Sequence, residues 1–196
     1  MERDHKTIKY IVSQTAPYND KRLTDVLVRA FELMCVSGDH NGCLSTSVAL
    51  HVILRSYGYD PKLCYGLCTA PEGNQIYHAW LELDSKVIDI AIYGNSHFSP
   101  LWFDNPLPTV VFEPYNKTAL QYGDHIFDNE WDMSMISLIV KMGSISSYIE
   151  AAPSVPHPSG NGMWYLIFML LGEKYTQSRH SELQRYVSTE SLQGPE

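Results

Sequence analysis

Residues 75–93, QIYHAWLELDSKVIDIAIY, carry the clearest structural pattern of this chain. Two runs rich in β-branched and aromatic residues, 75–83 and 86–93, lie on either side of the pair Asp84-Ser85. Runs of this kind separated by two turn-forming residues are typical of antiparallel strands joined by a tight turn. The sequence therefore predicts a β-hairpin whose register is set by a two-residue loop.

The hairpin register places a histidine beside a carboxylate. With the two-residue loop, Leu83 pairs with Lys86, and because side chains alternate along a strand, His78 and Asp89 then lie on one face of the sheet. They are diagonal neighbours, roughly 7–8 Å apart at the backbone, which is within reach of an imidazole–carboxylate hydrogen bond. Such a bond would fix the tautomer of the ring and favour its charged form.

A cysteine precedes this hairpin at the start of an apolar, helix-like run. Cys43 follows Asn41-Gly42, and the helical pattern continues to about Tyr57. The unpaired N–H groups and the dipole at a helix N-terminus favour an anion, so the pKa of a thiol there is lowered and the thiolate becomes a nucleophile. The same N–H groups could hold the oxyanion of an acyl-transfer intermediate. Asn41 is the side-chain candidate for that task, unless it only shapes the turn.

The remaining pattern predicts a chain of mixed helices and strands. Three- and four-residue apolar repeats predict helices, and alternating or β-branched runs predict strands. The predicted helices are 7–14, 21–36, 43–57, 132–149 and 163–171; the predicted strands are 62–69, 75–83, 86–93 and an edge strand at 109–113. The prolines between 153 and 158 predict a linker, and the polar tail after Thr176 is expected to fray.

Composition narrows the classes of partner. The chain has 196 residues, of which 44% are hydrophobic and 18% charged, and its formal net charge is -8, so a folded domain is expected and a disordered chain is not. Without a Lys/Arg cluster, neither nucleic acid nor a membrane surface is an expected partner. The charged start and the absence of a long apolar run predict a cytoplasmic protein. The oligomeric state is left open.

The four cysteines are too few and too unevenly spaced to predict a disulfide framework. They are Cys35, Cys43, Cys64 and Cys68. Cys64 and Cys68 are predicted to be small apolar residues on one strand face. A zinc-binding structural protein would need a ligand set such as Cys35, His40, Cys43 and His78. That spacing follows no common zinc template, so no metal and no cofactor are predicted.

The run from Asn41 to Ala91 resembles the core of the transglutaminase-like superfamily of papain-like cysteine enzymes. The matching motifs are CLSTSVAL at 43–50, the helix exit at 54–59, CYG at 64–66, HAWLE at 78–82 and VID at 87–89. Within the superfamily, the short intervals from Cys to His to Asp resemble those of the lasso-peptide leader peptidases of bacterial peptide maturation. The half of the chain after Asn95 has no recognised counterpart.

The resemblance implies an α+β fold, in which a central helix carrying the nucleophile packs on an antiparallel sheet, with extra C-terminal helices. Residues 1–150 would form the catalytic domain, and 151–196 a helical extension packed on the same domain. By the resemblance, Cys43 is the nucleophile, His78 the general base and acid, and Asp89 the residue that orients His78. Trp80 is a candidate wall of the substrate site.

The expected activity is attack on an amide by Cys43, with a peptide or protein as substrate. Transfer of the acyl group to water gives a peptidase or amidase, and transfer to an amine gives a transglutaminase-like acyltransferase or amidotransferase. A non-catalytic peptide-binding module of the same fold is the alternative from another class. The aromatic residues that could line a peptide groove are Trp102, Phe103, Tyr115 and Tyr122.

Overall fold

The computed structural model describes residues 2–37, 42–94, 109–123, 144–151 and 162–187. These residues form helices and one antiparallel sheet, so the predicted α+β class is confirmed. The helices are α1 (Glu2–Thr15), α2 (Lys21–Ser37), α3 (Cys43–Ser56), α4 (Ile145–Ala151), α5 (Gly162–Leu171) and α6 (Gln177–Leu183). The strands are β1 (Lys62–Thr69), β2 (Gln75–Leu83), β3 (Lys86–Ile88), β4 (Val111–Pro114) and β5 (Gln121–Gly123).

The sheet order is β4-β3-β2-β1-β5, and all its strand pairs are antiparallel. In the β2–β3 hairpin Leu83 pairs with Lys86, which confirms the predicted register. Asp84 and Ser85 have φ of 53° and 58°, the positive values that a type I′ turn requires at both central positions. β4 is an edge strand, as predicted for 109–113, whereas β5 at the other edge was not predicted.

The predicted strand 86–93 was wrong beyond Ile88. Instead of continuing along β2, Asp89 donates its backbone N–H to the Val110 carbonyl, and Ala91–Gly94 form a 3₁₀-helix. The Asp89 side chain accepts a hydrogen bond from the Ile92 N–H, 3.1 Å away. A short polar side chain that binds nearby backbone in this way competes with the strand ladder, and this competition ends β3.

Helix α3 lies at the centre of the fold. Every residue from Ser45 to Leu54 is buried, as expected for a helix that is apolar over most of its circumference. It contacts β2 and β1 of the sheet, and the helices α2 and α5 also pack against it. Six residues of α5 add to this core: Met163, Leu166, Ile167, Phe168, Leu170 and Leu171.

The C-terminal segment departs from the expectation that it frays after Thr176. Residues Gln177–Leu183 form α6, in which the Thr176 side chain accepts a hydrogen bond from the Arg179 N–H as an N-cap. Leu183 is completely buried, so one apolar side chain anchors a segment that is otherwise polar. The prediction missed this because a single buried leucine gives no periodic pattern.

Of the predicted helix 132–149, only the end lies within the described residues, and it belongs to α4. The predicted linker at 153–158 lies outside them. Across the described ranges no helix is both long enough and apolar enough to cross a bilayer. The division into residues 1–150 and 151–196 stays a prediction.

Candidate active site

Cys43 is the first residue of α3 and is partly exposed. Gly42 is the N-cap and supplies no side chain, and the first hydrogen bond of the helix runs from the Thr46 N–H to the Gly42 carbonyl at 2.8 Å. Backbone N–H groups before Thr46 have no acceptor within the helix. They therefore point out of the N-terminal end of α3, which begins at Cys43.

Because β3 ends at Ile88, α3 packs directly against β2. Every second residue of β2 directs its backbone N–H and carbonyl groups toward β3. These residues are Leu83, Leu81 and, by alternation, Ala79. β3 no longer runs beside Ala79, and α3 takes its place. The Ser47 hydroxyl donates to the Ala79 carbonyl at 3.0 Å, and the Ala79 N–H lowers the pKa of the Cys43 thiol.

His78 and Asp89 form the hydrogen bond that the sequence predicts. His78 Nε2 lies 2.8 Å from Asp89 Oδ1, and both side chains are fully buried. Because Nε2 is held by the carboxylate, Nδ1 is the ring nitrogen left to face Cys43. Nδ1 is buried and makes no hydrogen bond of good geometry with the described residues.

The charges of the site favour a thiolate beside an imidazolium. Burial raises the pKa of the Cys43 thiol, and the charge of Asp89 adds slightly to this, but the interactions with the His78 imidazolium and the Ala79 N–H outweigh both and bring the pKa below its usual value. Burial lowers the pKa of His78, but the charge and hydrogen bond of Asp89, together with Cys43, raise it to about 10. A cysteine with these partners can act as a nucleophile at neutral pH.

Asp89 has a further partner, Tyr122 on β5, whose hydroxyl donates to Asp89 Oδ2 at 2.7 Å. Burial, and then the charge of Asp89, raise the pKa of Tyr122 well above its usual value, so the hydroxyl stays a donor. The sequence singled out Tyr122 only for a peptide groove. Its role beside Asp89 was missed because β5 is too short to give a pattern.

Trp80 lies beneath this site and away from solvent. It is 1% exposed, its ring contacts Tyr122 with centroids 4.9 Å apart, and its Nε1–H donates to the Tyr115 hydroxyl at 3.0 Å. Tyr115 in turn donates to Glu82 Oε2 at 2.9 Å. The structure thus places Trp80 and Tyr115 in a buried network that supports Tyr122, and does not bring Trp80 to a surface that a substrate could touch.

A second tyrosine reaches the first turn of α3 from α4. The Tyr148 hydroxyl lies 2.8 Å from the Ser45 hydroxyl, and both residues are buried. The linear sequence gave no signal for this contact, which joins residues 103 positions apart. Asn41, Trp102, Phe103 and the zinc candidate His40 lie outside the described residues.

The other described thiols differ from Cys43. Burial raises the pKa of Cys64 to about 11, and burial also raises the pKa of Cys68, so neither forms a thiolate readily near neutral pH. Within the described part of the chain, no group of three or more His, Cys, Asp or Glu residues is placed to hold a metal ion.

Residues 6–102 match the family model Transglut_core3, described as the transglutaminase-like superfamily. The matched segment is just under half of the chain, and Cys43, His78 and Asp89 all lie within it. The observed helices and antiparallel sheet agree with an α+β transglutaminase-like core, and this superfamily generally includes cysteine peptidases and acyltransferases. Comparisons with curated proteins and with solved structures gave no significant match.

Proposed function

We propose that this chain is a transglutaminase-like cysteine enzyme, in which Cys43 attacks an amide and forms a thioester acyl-enzyme. The observation that carries the proposal is the buried hydrogen bond of 2.8 Å between His78 Nε2 and Asp89 Oδ1, which stands behind a partly exposed cysteine. A structural cysteine needs neither an ionised partner nor a helix terminus. The three groups together are those of a Cys-His-Asp triad.

Each member of the triad has one role in this reaction. The Cys43 thiolate attacks the carbonyl carbon, and the tetrahedral intermediate collapses as the imidazolium of His78 gives its proton to the leaving amine. His78 then takes a proton from the incoming water or amine, whose oxygen or nitrogen displaces sulfur from the acyl carbon. This step restores the Cys43 thiolate beside the His78 imidazolium. Asp89 accepts the hydrogen bond of His78 Nε2 and so holds the ring in the tautomer that presents Nδ1 to the sulfur.

The substrate we assign is a peptide or protein, and the acceptor is water. The support for this assignment is the resemblance of the intervals from Cys43 to His78 and Asp89 to those of lasso-peptide leader peptidases. An amine that enters in place of water would make the same acyl-enzyme an intermediate of acyl transfer. The chemistry up to the thioester is common to both outcomes.

Alkylation followed by intact-mass analysis tests the nucleophile. We expect iodoacetamide to add one mass increment rapidly at pH 6 and at pH 8, at Cys43, because its thiol has the lowered pKa. The matched variants are Cys43→Ala, which should lose the fast increment, and Cys64→Ala, which should keep it. Slow, equal labelling of all the cysteines would instead indicate a non-catalytic binding module.

Trapping of the acyl group tests the reaction. The protein is incubated with a mixture of synthetic peptides, with and without hydroxylamine, and the products are read by mass spectrometry. We expect cleavage to free acids in water and partial conversion to hydroxamates with hydroxylamine, and neither product with Cys43→Ala. Products formed only in the presence of an amine would assign the protein as an acyltransferase, and turnover by Cys43→Ala would refute the triad.

A further inference from the structure

The hydroxyl of Tyr148 lies at the first turn of the nucleophile helix. It is 2.8 Å from the Ser45 hydroxyl, and Ser45 is the third residue of α3, two positions after Cys43. Both residues are at most 9% exposed, so the pair is shielded from water. Tyr148 also lies well outside the segment 6–102 that matches the family model.

The Tyr148 hydroxyl is suited to donate a proton into the site. Burial raises the pKa of Tyr148, the bond with Ser45 lowers it, and negative charge on Cys43 raises it again, so that the net pKa is above its usual value and the hydroxyl stays protonated. Ser45 can donate to the Tyr148 oxygen, which leaves the tyrosine proton free for another acceptor.

Negative charge develops at this end of the helix during the proposed reaction. When the thiolate attacks, a carbon–sulfur bond forms and the electron pair of the carbonyl moves onto its oxygen. Backbone N–H groups of the first turn, at Cys43 and Leu44, point out of the helix end and have no acceptor within the helix. Donors that are fixed in advance around such an oxygen give a large part of the rate enhancement in acyl transfer.

We propose that Tyr148 is a catalytic residue whose hydroxyl donates to this oxyanion, alongside the backbone N–H groups at the start of α3. The proposal rests on the proposed function, since it needs an acyl carbonyl attacked by Cys43. It also gives the C-terminal half of the chain a direct part in the chemistry. Tyr122 cannot take this role, because its proton is directed to Asp89.

Two reactions of the same sulfur separate an oxyanion donor from a structural residue. In acylation by p-nitrophenyl acetate, the sulfur adds to the ester carbonyl, an oxyanion forms, and collapse breaks the carbon–oxygen bond and releases p-nitrophenolate. In alkylation by iodoacetamide, the sulfur displaces iodide and no oxyanion forms. Both rates are measured under single-turnover conditions, by p-nitrophenolate absorbance and by intact mass.

For Tyr148→Phe we expect acylation of Cys43 to slow by about 100-fold or more, as for loss of one oxyanion donor, with alkylation unchanged. Ser45→Ala should keep most of the acylation rate, because the tyrosine hydroxyl remains. The double variant Ser45→Ala/Tyr148→Phe leaves no unpaired hydroxyl and should show the same loss as Tyr148→Phe. Tyr175→Phe removes an exposed tyrosine hydroxyl and should react like the unaltered protein.

Three results would overturn the inference: equal acylation rates for Tyr148→Phe and the unaltered protein, a matching fall in alkylation, or an equal loss in Ser45→Ala. The last two would show that the Tyr148–Ser45 pair only supports the helix. An unaltered protein whose Cys43 is alkylated slowly would refute the proposed function itself. Rapid alkylation of Cys43 combined with unimpaired acylation in Tyr148→Phe would refute only the role of Tyr148.

Discussion

The carboxylate of Asp89 binds donors from three parts of the fold. Oδ1 accepts from His78 on β2 and from the Ile92 N–H, and Oδ2 accepts from Tyr122 on β5. A buried carboxylate with this many donors is fixed in direction. The same residue therefore orients the proposed general base, begins the 3₁₀-helix and connects β5 to the site.

Asp89→Asn should change the pH dependence of alkylation at Cys43. The charge of Asp89 raises the pKa of His78 to about 10, so the imidazolium that stabilises the thiolate persists through pH 6–8. Without that charge the imidazolium is lost in this range, and the thiol pKa returns toward its ordinary value. We expect a nearly flat rate between pH 6 and 8 in the unaltered protein, and in the variant a lower rate at pH 6 that rises about tenfold per pH unit.

The rates are measured by iodoacetamide labelling and intact mass. Glu82→Gln serves as the control, because it also replaces a carboxylate of the buried network but does not touch His78. Parallel profiles for Asp89→Asn and the unaltered protein would contradict the assigned role of Asp89.

Tyr122→Phe should destabilise the fold while the ring stays packed against Trp80. The change leaves Asp89 Oδ2 buried without its donor, and hydrogen bonds to charged groups contribute about 1.5–3 kcal/mol. We expect a loss of that size in the free energy of unfolding, measured with urea at pH 7. In the Asp89→Asn background the loss should be smaller, and equal losses in the two backgrounds would show that the hydroxyl does not act through the carboxylate.

Helix α3, which begins at Cys43, has a buried histidine in its interior. His51 is 4% exposed, and neither of its ring nitrogens makes a hydrogen bond of good geometry with the described residues. Burial, and then the positive charge of Arg55, lower the pKa of His51 to about 4, against smaller opposite effects of Asp60 and the Pro61 carbonyl. The centre of α3 therefore favours a neutral imidazole.

His51→Leu should remove part of the acid sensitivity of the fold. Because the pKa of His51 is lowered on folding, its contribution is fully present above the unfolded pKa of about 6.5, and is lost as the pH falls toward 4. We expect the free energy of unfolding to fall over that range by about 3 kcal/mol more in the unaltered protein than in His51→Leu. Urea titrations at pH 7, 5.5 and 4.5 measure this difference, and identical slopes in the two proteins would disprove it.

Gly66 allows β5 to approach β1. A Cβ at this position would lie 2.2 Å from the Gly123 carbonyl oxygen and 3.3 Å from the Trp80 ring. Gly66→Ala must therefore push β5 and its Tyr122 outward, and we expect a destabilisation of about 2 kcal/mol or more in urea unfolding. Gly123→Ala is the matched control on the same strand pair, since its Cβ would meet only the Leu67 carbonyl at 3.8 Å. Equal effects of the two changes would contradict this account.

At the scale of the whole molecule, the C-terminal half completes both the core and the site. Helix α5 packs on α3 and α2, and the Arg29 guanidinium donates to the Leu170 and Leu171 carbonyls at the end of α5. On the other side, the Tyr10 hydroxyl of α1 binds the backbone of Val111 in β4. Residues outside the matched segment 6–102 are thus joined to it on several sides.

A chain ending at residue 102 should not fold cooperatively. It would lack β4, β5 and α5, so it would expose the face of α3 that α5 covers and would also lose Tyr122 and Tyr148. We expect no cooperative thermal transition by circular dichroism and no fast alkylation of Cys43, whereas the full chain shows both. A cooperative transition at the melting temperature of the full chain would show that the matched segment folds alone.

Local patterns were sufficient for α2, α3 and the β2–β3 hairpin, because helix periodicity and strand alternation are read within one element. From the hairpin register alone, the pairing of His78 with Asp89 could be predicted. The end of β3 could not, since it depends on a side chain competing with the ladder. The contacts of Tyr122 and Tyr148 could not be predicted either. They join residues 33 and 103 positions apart in the sequence and therefore depend on the tertiary fold.

The short third strand has one more consequence. The Asp89 carboxylate, which would orient the His78 imidazole, also ends β3. The backbone of Ala79 is therefore left without a strand partner on that side, and α3 packs there. Substitution of Asp89 by a β-branched residue would allow β3 to continue pairing with β2 beyond Ile88, into the space that α3 occupies. Asp89 would thus determine both the orientation of His78 and the packing of α3. Its loss would displace the Cys43 sulfur as well as the His78 imidazole.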